Sequence, residues 1–471
     1  TLLQEAKVGK ISMKGKIEGS GFDLKDVNTK MDATISKIEA DGNIYSDITI
    51  NGILQNKKFD GIFISRDSNL AINFNGKLDL SKEQPIYHFN SRFIRFNLQK
   101  LGLSKEPLIA SGVANLQFEG STIDNFIGTA TFKNLQVSSK GKSLLVHDVL
   151  IASTKDNTKK TLSLQSNIAD AEINGNFLLS ELPIAIRLYL HHYLPQYIQL
   201  PKKKVTQELT FSATVKANDS FIHYFLPGYH GLAGTYISGG LNTNTQLFSL
   251  DANIPKFGYN EFTLQDIAIV GAGDYKELDI NLNVGNLLYH NDVMIPSFQI
   301  NGMMASDTAS LSIVTQSIND LLGDASLNVK ATALNNNLFV TILPSTIQIK
   351  QDQWQIQSSD QLVFCIILSI KNVMIESGAQ KITIHSKENN TNDLMVEFDE
   401  LDAESFCNYL NLTEPTFYGR MSGSIDIQSF ATNPLIVAEM HSTNNLRMNQ
   451  DTLGFVQVNA SYDVSKQIVH V

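Results

Sequence analysis

The chain has 471 residues, 42% of them hydrophobic and 18% charged, with a formal net charge of -10. That apolar content excludes a disordered chain, and scattered Lys in an acidic background excludes a nucleic-acid footprint, since the one dense basic run, Lys202-Lys203-Lys204, is too short. No run of about 18 apolar residues exists, so no transmembrane helix is expected; the longest apolar run, Leu362 to Leu368, has strand length.

In chain order, the sequence is a succession of period-2 segments. Ile48 and Ile50 open the series. Leu70, Ile72 and Phe74 then alternate with Asn73, Asn75 and Lys77. Phe118 follows, then Ile173 and Phe177. From Val205 to Ala217, Leu209, Phe211 and Val215 face away from Glu208, Thr210 and Lys216. The same pattern recurs at Phe248/Leu250, Ile280/Leu282 and Leu327/Val329. Side chains alternate across a strand, so each segment has one apolar and one wet face. Those seventeen apolar residues are expected to line one shared interior, with Asn73, Lys77, Glu172, Glu208, Lys216, Asp279 and Lys330 facing outward. Turns such as Ala40-Asp41-Gly42-Asn43 and Ser65-Arg66-Asp67-Ser68-Asn69 separate the segments. The spacing predicts an all-β fold: about 30 to 35 strands in one long, twisted antiparallel sheet, curled into an elongated hydrophobic groove. Too few crossover helices are available for an α/β fold.

Five short helices are predicted within this sheet, near residues 97–102, 181–197, 219–226, 317–322 and 402–410. Asn97, Asp219 and Asp402 are the expected N-caps, and Pro183 and Pro195 bound the longest helix. That helix is apolar on much of its surface, which fits a plug in the groove or against its end, or else a gate or membrane-surface element. Three of the helical segments are each followed by a linker and a glycine-containing strand, around Gly112, Gly234 and Gly419. Such repetition fits one continuous unit, 1–471, growing by addition of like parts. Both ends fall inside strand patterns, so the chain is expected to be an internal fragment of a longer protein.

Catalytic signals are poor. HExxH, CxxC and GxSxG are absent, and His191-His192 has no partner at ligand spacing. Gly271-Ala272-Gly273 leads into another strand, so it is a turn and not a dinucleotide loop. No enzyme activity, catalytic residue, metal or cofactor is expected. Cys365 and Cys407 either pair or remain as two half-buried thiols.

Phe59-Asp60-Gly61-Ile62-Phe63-Ile64, followed by Leu70-Ala71-Ile72-Asn73-Phe74-Asn75-Gly76-Lys77-Leu78-Asp79-Leu80, resembles the TamB/AsmA-like family, closest to the TamB-type translocation and assembly proteins of Bacteroidota-like bacteria. Phe89 to Phe93 leading to Leu98-Gln99-Lys100-Leu101, and Pro434 to Met440 leading to Asn445-Leu446, carry the same texture. The resemblance implies a sheet curled into an open groove, similar to the bridge-like lipid carriers of eukaryotes. It also implies a periplasmic location, an inner-membrane anchor outside this chain, phospholipid cargo and a BamA-type outer-membrane barrel as partner. Phospholipid traffic and outer-membrane protein assembly are the implied roles.

The residues lead independently to a compatible expectation. Strands about 4.8 Å apart, 30 in series, would extend roughly 150 Å. An acyl chain laid on their apolar faces gains about 0.8 kcal/mol per methylene. The competing expectation is an elongated structural or adhesin-like β protein with a closed, dry core and no lipid. An outer-membrane barrel would need aromatic girdles, which a single Trp does not supply.

Overall fold

The computed structural model describes residues 8–470 except 22–25, 41, 140, 218, 317–321, 336, 350–351, 359–361, 365–367, 388–389, 410–413, 431–433 and 466–467. The described strands build one antiparallel sheet of 32 strands that does not close into a barrel, and a separate sheet of 3 strands. The chain divides into two compact units. The first comprises Thr1–Ala185 with Lys204–Asn260, the second Ile186–Lys203 with Glu261–Val471.

The first unit contains β1 (Val8–Ser20), β2 (Asn28–Ala40), β3 (Asn43–Gln55), β4 (Lys58–Arg66), β5 (Leu70–Asp79), β6 (Ile86–Asn97), β7 (Ile109–Glu119), β8 (Ile127–Ser139), β9 (Lys142–Asp156), β10 (Lys159–Ser166) and β11 (Ala169–Asn176). It continues with β12 (Glu208–Val215), β13 (Tyr229–His230), β14 (Tyr236–Asn242) and β15 (Leu247–Tyr259). Each strand from β1 to β11 pairs antiparallel with the next, as a meander requires. The second unit opens with β16 (Phe262–Gly273), β17 (Leu278–Tyr289), β18 (Asp292–Ala305), β19 (Thr308–Thr315), β20 (Leu322–Leu334), β21 (Asn337–Ile342), β22 (Ser345–Ile349) and β23 (Asp352–Ser358), and runs on to Ile468–His470.

Tight two-residue turns set the registers. Asn56 and Lys57, His290 and Asn291, and Ser306 and Asp307 all hold positive φ between paired strand ends. That is the twist-matched hairpin geometry for which Asn and Asp are suited. In the longer Ser65–Asn69 turn, buried Asp67 accepts the N–H of Ser46 at 2.9 Å and of Asn69 at 2.8 Å, fixing the entry to β5.

The strands approach closely at a row of glycines. Gly52, Gly61 and Gly76 are directly opposite one another on β3, β4 and β5. A Cβ on Gly61 would lie 2.5 Å from the Gly52 Cα, and one on Gly76 would lie 2.5 Å from the Phe89 Cα. Only hydrogen fits there, and Phe59 covers the gap on Gly52. Gly61→Val is therefore expected to destabilise the first unit by about 3 kcal/mol in denaturant titration. Ile62→Ala, on the exposed opposite face, should stay within ~0.5 kcal/mol. Equal costs for the two would mean that the row has no steric requirement.

The helices differ from expectation in detail. Residues 98–102 form a single turn and not a helix: the Asn97 side chain accepts the Lys100 N–H at 3.1 Å, and Gly102 at φ 70° stops propagation. Five residues are too few to offset the cost of nucleation. The longest helix, α1, spans Leu182–Tyr193 after a 3-10 turn at Leu179–Glu181, so it ends before Tyr197. Its last carbonyl is taken by the Asp307 N–H at 2.8 Å, and Pro195 has no N–H to continue with. Helix α2 spans Asp219–Phe225, and Asp219 is its first residue; its carboxylate accepts the Gly231 N–H at 2.6 Å. Helix α3 spans Ala403–Tyr409 and is capped as expected, with Asp402 accepting the Ser405 N–H at 2.8 Å. Residues 317–321, expected as helix, lie outside the described residues, and Leu322 begins β20.

Candidate functional site

Residues directly opposite in an antiparallel pair share a face. In the first unit this rule traces an unbroken row across ten strands: Leu78, Tyr87, Phe118, Gly128, Ser153, Leu162, Ile173, Phe211, Gly239 and Leu250. A parallel row runs Ile50, Phe63, Phe74, Ser91, Ala114, Phe132 and Val149. Ile48 joins Ile72 through Ser65, Leu209 faces Leu241, and Phe248 and Val215 complete the face. Leu70 is directly opposite Phe96. Aromatic rings pave it, with centroids 4.6 Å apart for Phe74–Phe89 and Tyr87–Phe118, and 4.8 Å for Phe118–Phe126. Phe177, just beyond β11, is buried.

The second unit carries its own rows. Leu282, Ile300, Ile313 and Leu327 are in register, as are Ile280, Gly302, Leu311, Val329 and Ile342. Farther along, Ile347 is opposite Trp354, which is fully buried against Phe398 and Leu401.

The residues expected to face outward do so in both units. Asn73, Lys77, Glu172, Glu208, Lys216, Asp279 and Lys330 are exposed and lie on the opposite face from the apolar rows. Lys77 pairs with Asp60 at 2.9 Å and Lys216 with Asp170 at 2.5 Å, as cross-strand neighbours on a wet face do.

The apolar face is only half covered. Ile48, Phe74, Phe177 and Leu209 are buried, Ile280 is 37% exposed, and the other predicted lining residues lie between. The mass is 52.1 kDa. Two globular domains sharing it would together expose roughly 21,000 Å². This chain exposes 27899 Å². Half-covered apolar faces contribute to that excess.

The end of helix α1 and the segment after it cross the hairpin ends at one edge of the second unit. Tyr189 and Tyr193, one helical turn apart, are both buried. The Tyr193 hydroxyl donates to the Asp274 carbonyl at 2.5 Å, in the β16–β17 turn. Gln196 takes the next hairpin through the Asp307 carboxylate at 3.0 Å, and Tyr197 donates to the Asn337 carbonyl at 3.2 Å. The segment is thus strapped across three successive hairpin ends. Burial, with Asp274 and Tyr275 beside it, pushes the Tyr193 phenol up to about 12. Burial lowers His192, which stacks on Tyr275 at 4.0 Å.

Sequence reasoning missed several members of the rows, among them Tyr87, Val149, Ser153, Leu162 and the glycines. It also missed Lys155 and Lys160, whose run with Asp156, Asn157 and Lys159 reads as a solvated turn. The available signal was parity, since Lys160 is in step with Leu162 and Leu164. Lys160 is 6% exposed, and burial lowers its pKa. Cys407 is a free thiol, raised by burial, and Cys365 lies outside the described residues.

Among the described residues no helix is long and apolar enough to cross a membrane, and no cluster of His, Cys, Asp and Glu has the arrangement of a metal site. No family model matches the chain, and no curated protein matches it.

Proposed function

We propose that the apolar faces of the two units accommodate phospholipid acyl chains, and that the protein serves as a hydrophobic conduit for lipid between inner and outer membrane. Supporting outer-membrane protein assembly with a BamA-type partner in the periplasm is the associated role implied by the TamB/AsmA resemblance. The observation that carries the reading is the ten-strand row from Leu78 to Leu250, in which Ser153 and Leu162 are buried and the other members are only partly covered. A sixteen-carbon chain lying on such a face gains about 12 kcal/mol before entropy losses. A dry structural core is favoured at one place, around Trp354, where the apolar residues are fully covered.

Photo-crosslinking residues at Phe74, Phe211 and Leu327 test the proposal in cells. All three are expected to capture phospholipid. Capture at a single position would replace the conduit by a local site, and capture at none would favour a protein scaffold without lipid.

A further inference from the structure

At the rim of the first unit, the loop before β8 and the β9–β10 turn enclose a cavity of about 350 Å³. Its lining joins Lys155 and Lys160 to Glu119, Asp124, Phe177 and Leu178. Lys155 is directly opposite Lys160 in the β9–β10 register, so two ammonium groups share one face of one strand pair. Like charges so placed repel. Lys160 is also withdrawn from water at 6% exposure, a rare position for lysine. Its Nζ donates to the carbonyls of Ile123 at 3.0 Å and Asp124 at 2.9 Å, which uses two of its three N–H bonds. The role of a loop clamp explains those two bonds. It does not explain why a second lysine stands opposite.

Building on the acyl-chain reading above, we propose that the Lys155–Lys160 pair holds the phosphate of a phospholipid whose tails lie on the apolar face beyond it. An anion between the two ammonium groups removes their repulsion and supplies an acceptor for the third Lys160 N–H. The surroundings are amphiphilic in the required order. Lys160 lies two residues from Leu162 and Lys155 two residues from Ser153, both buried members of the ten-strand row, so that row crosses this strand pair about 7 Å from the two lysines. The Phe177 ring is 5.8 Å from the Lys160 Nζ, and Leu178 stands 41% exposed at the lip. Glu119 and Asp124 in the same lining suit a headgroup that also carries an ammonium, such as phosphoethanolamine.

The test is native mass spectrometry of the whole chain with detergent-solubilised dioleoyl phosphatidylethanolamine, dioleoylglycerol, or glycerophosphoethanolamine with inorganic phosphate. Lys155 is exposed, so Lys155→Gln leaves the loop clamp intact. The wild type is expected to bind the phospholipid more tightly than dioleoylglycerol. Lys155→Gln should lower phospholipid occupancy about tenfold and leave dioleoylglycerol unchanged. Equal binding of both lipids, unaffected by Lys155→Gln, overturns the headgroup site while the acyl-chain reading stands. Binding of neither lipid overturns both. Competition by inorganic phosphate at the lipid's own concentration would make the cavity a simple anion site and also overturn the proposal.

Discussion

Phe211→Asp is expected to abolish lipid capture by the first unit and to cost about 3 kcal/mol of its stability. Phe211 lies between Ile173 and Gly239 in register, and its ring approaches the Gly239 Cα hydrogens closely enough that a Cβ there would meet it at 2.9 Å. Truncating the ring removes apolar contact worth about 3 kcal/mol or more when fully buried, and Phe211 is half buried. The carboxylate then stands on a face where passing acyl chains would have to strip its water, which costs several kcal/mol. Thr210→Asp places the same charge one residue away on the exposed face, opposite Asn174, and is expected to change stability by ~0.5 kcal/mol and lipid capture not at all. In the second unit, Leu282→Lys and Asn281→Lys form the equivalent pair. Denaturant titration gives the stability and native mass spectrometry the bound lipid. Undiminished lipid in Phe211→Asp alongside lost stability would make the face purely structural.

Trp354→Ala should produce the largest single loss in the second unit, about 4 kcal/mol. The indole is 1% exposed and packs on Phe398 and Leu401, with Ile347, Ile375, Ile382, Met421 and Ile425 around them. Its Nε1–H is buried and has no hydrogen-bond partner among the described residues. Trp354→Phe removes that unsatisfied donor while keeping most of the apolar volume, so it should cost about 1–2 kcal/mol. Because Trp354 is the sole tryptophan, wild-type fluorescence reports unfolding of this region, and circular dichroism follows the variants. A loss below ~1 kcal/mol in Trp354→Ala would show that this cluster is not where the unit's stability resides.

Legibility in the sequence followed the range of the interaction involved. Alternation is local, so Leu70, Ile72 and Phe74 and their wet neighbours Asn73 and Lys77 were separable without any partner strand. Capping is equally local, and Asp402 caps α3 as its position predicts. At Asn97 the same signal misled, because a cap beside only five residues stabilises a turn and not a helix. Pro195 marked the end of α1 to within two residues, but the Asp307 N–H that takes its last carbonyl is more than a hundred residues away and could not be read locally.

By itself, then, the sequence determined the strand class, the antiparallel meander, the turns and, for the residues in its period-2 segments, the assignment to an apolar or a wet face. These follow from the two-residue period of a strand and from the tolerance of Asn, Asp and Gly for positive φ. Only the tertiary structure decided which residues stand opposite which. Register places Gly52, Gly61 and Gly76 in one row, sets Phe211 between Ile173 and Gly239, and brings Lys155 against Lys160 beside Asp124. The physical reason is that a strand's own residues specify its faces, whereas pairing is settled between strands, by turn geometry and by how much apolar surface each alignment covers.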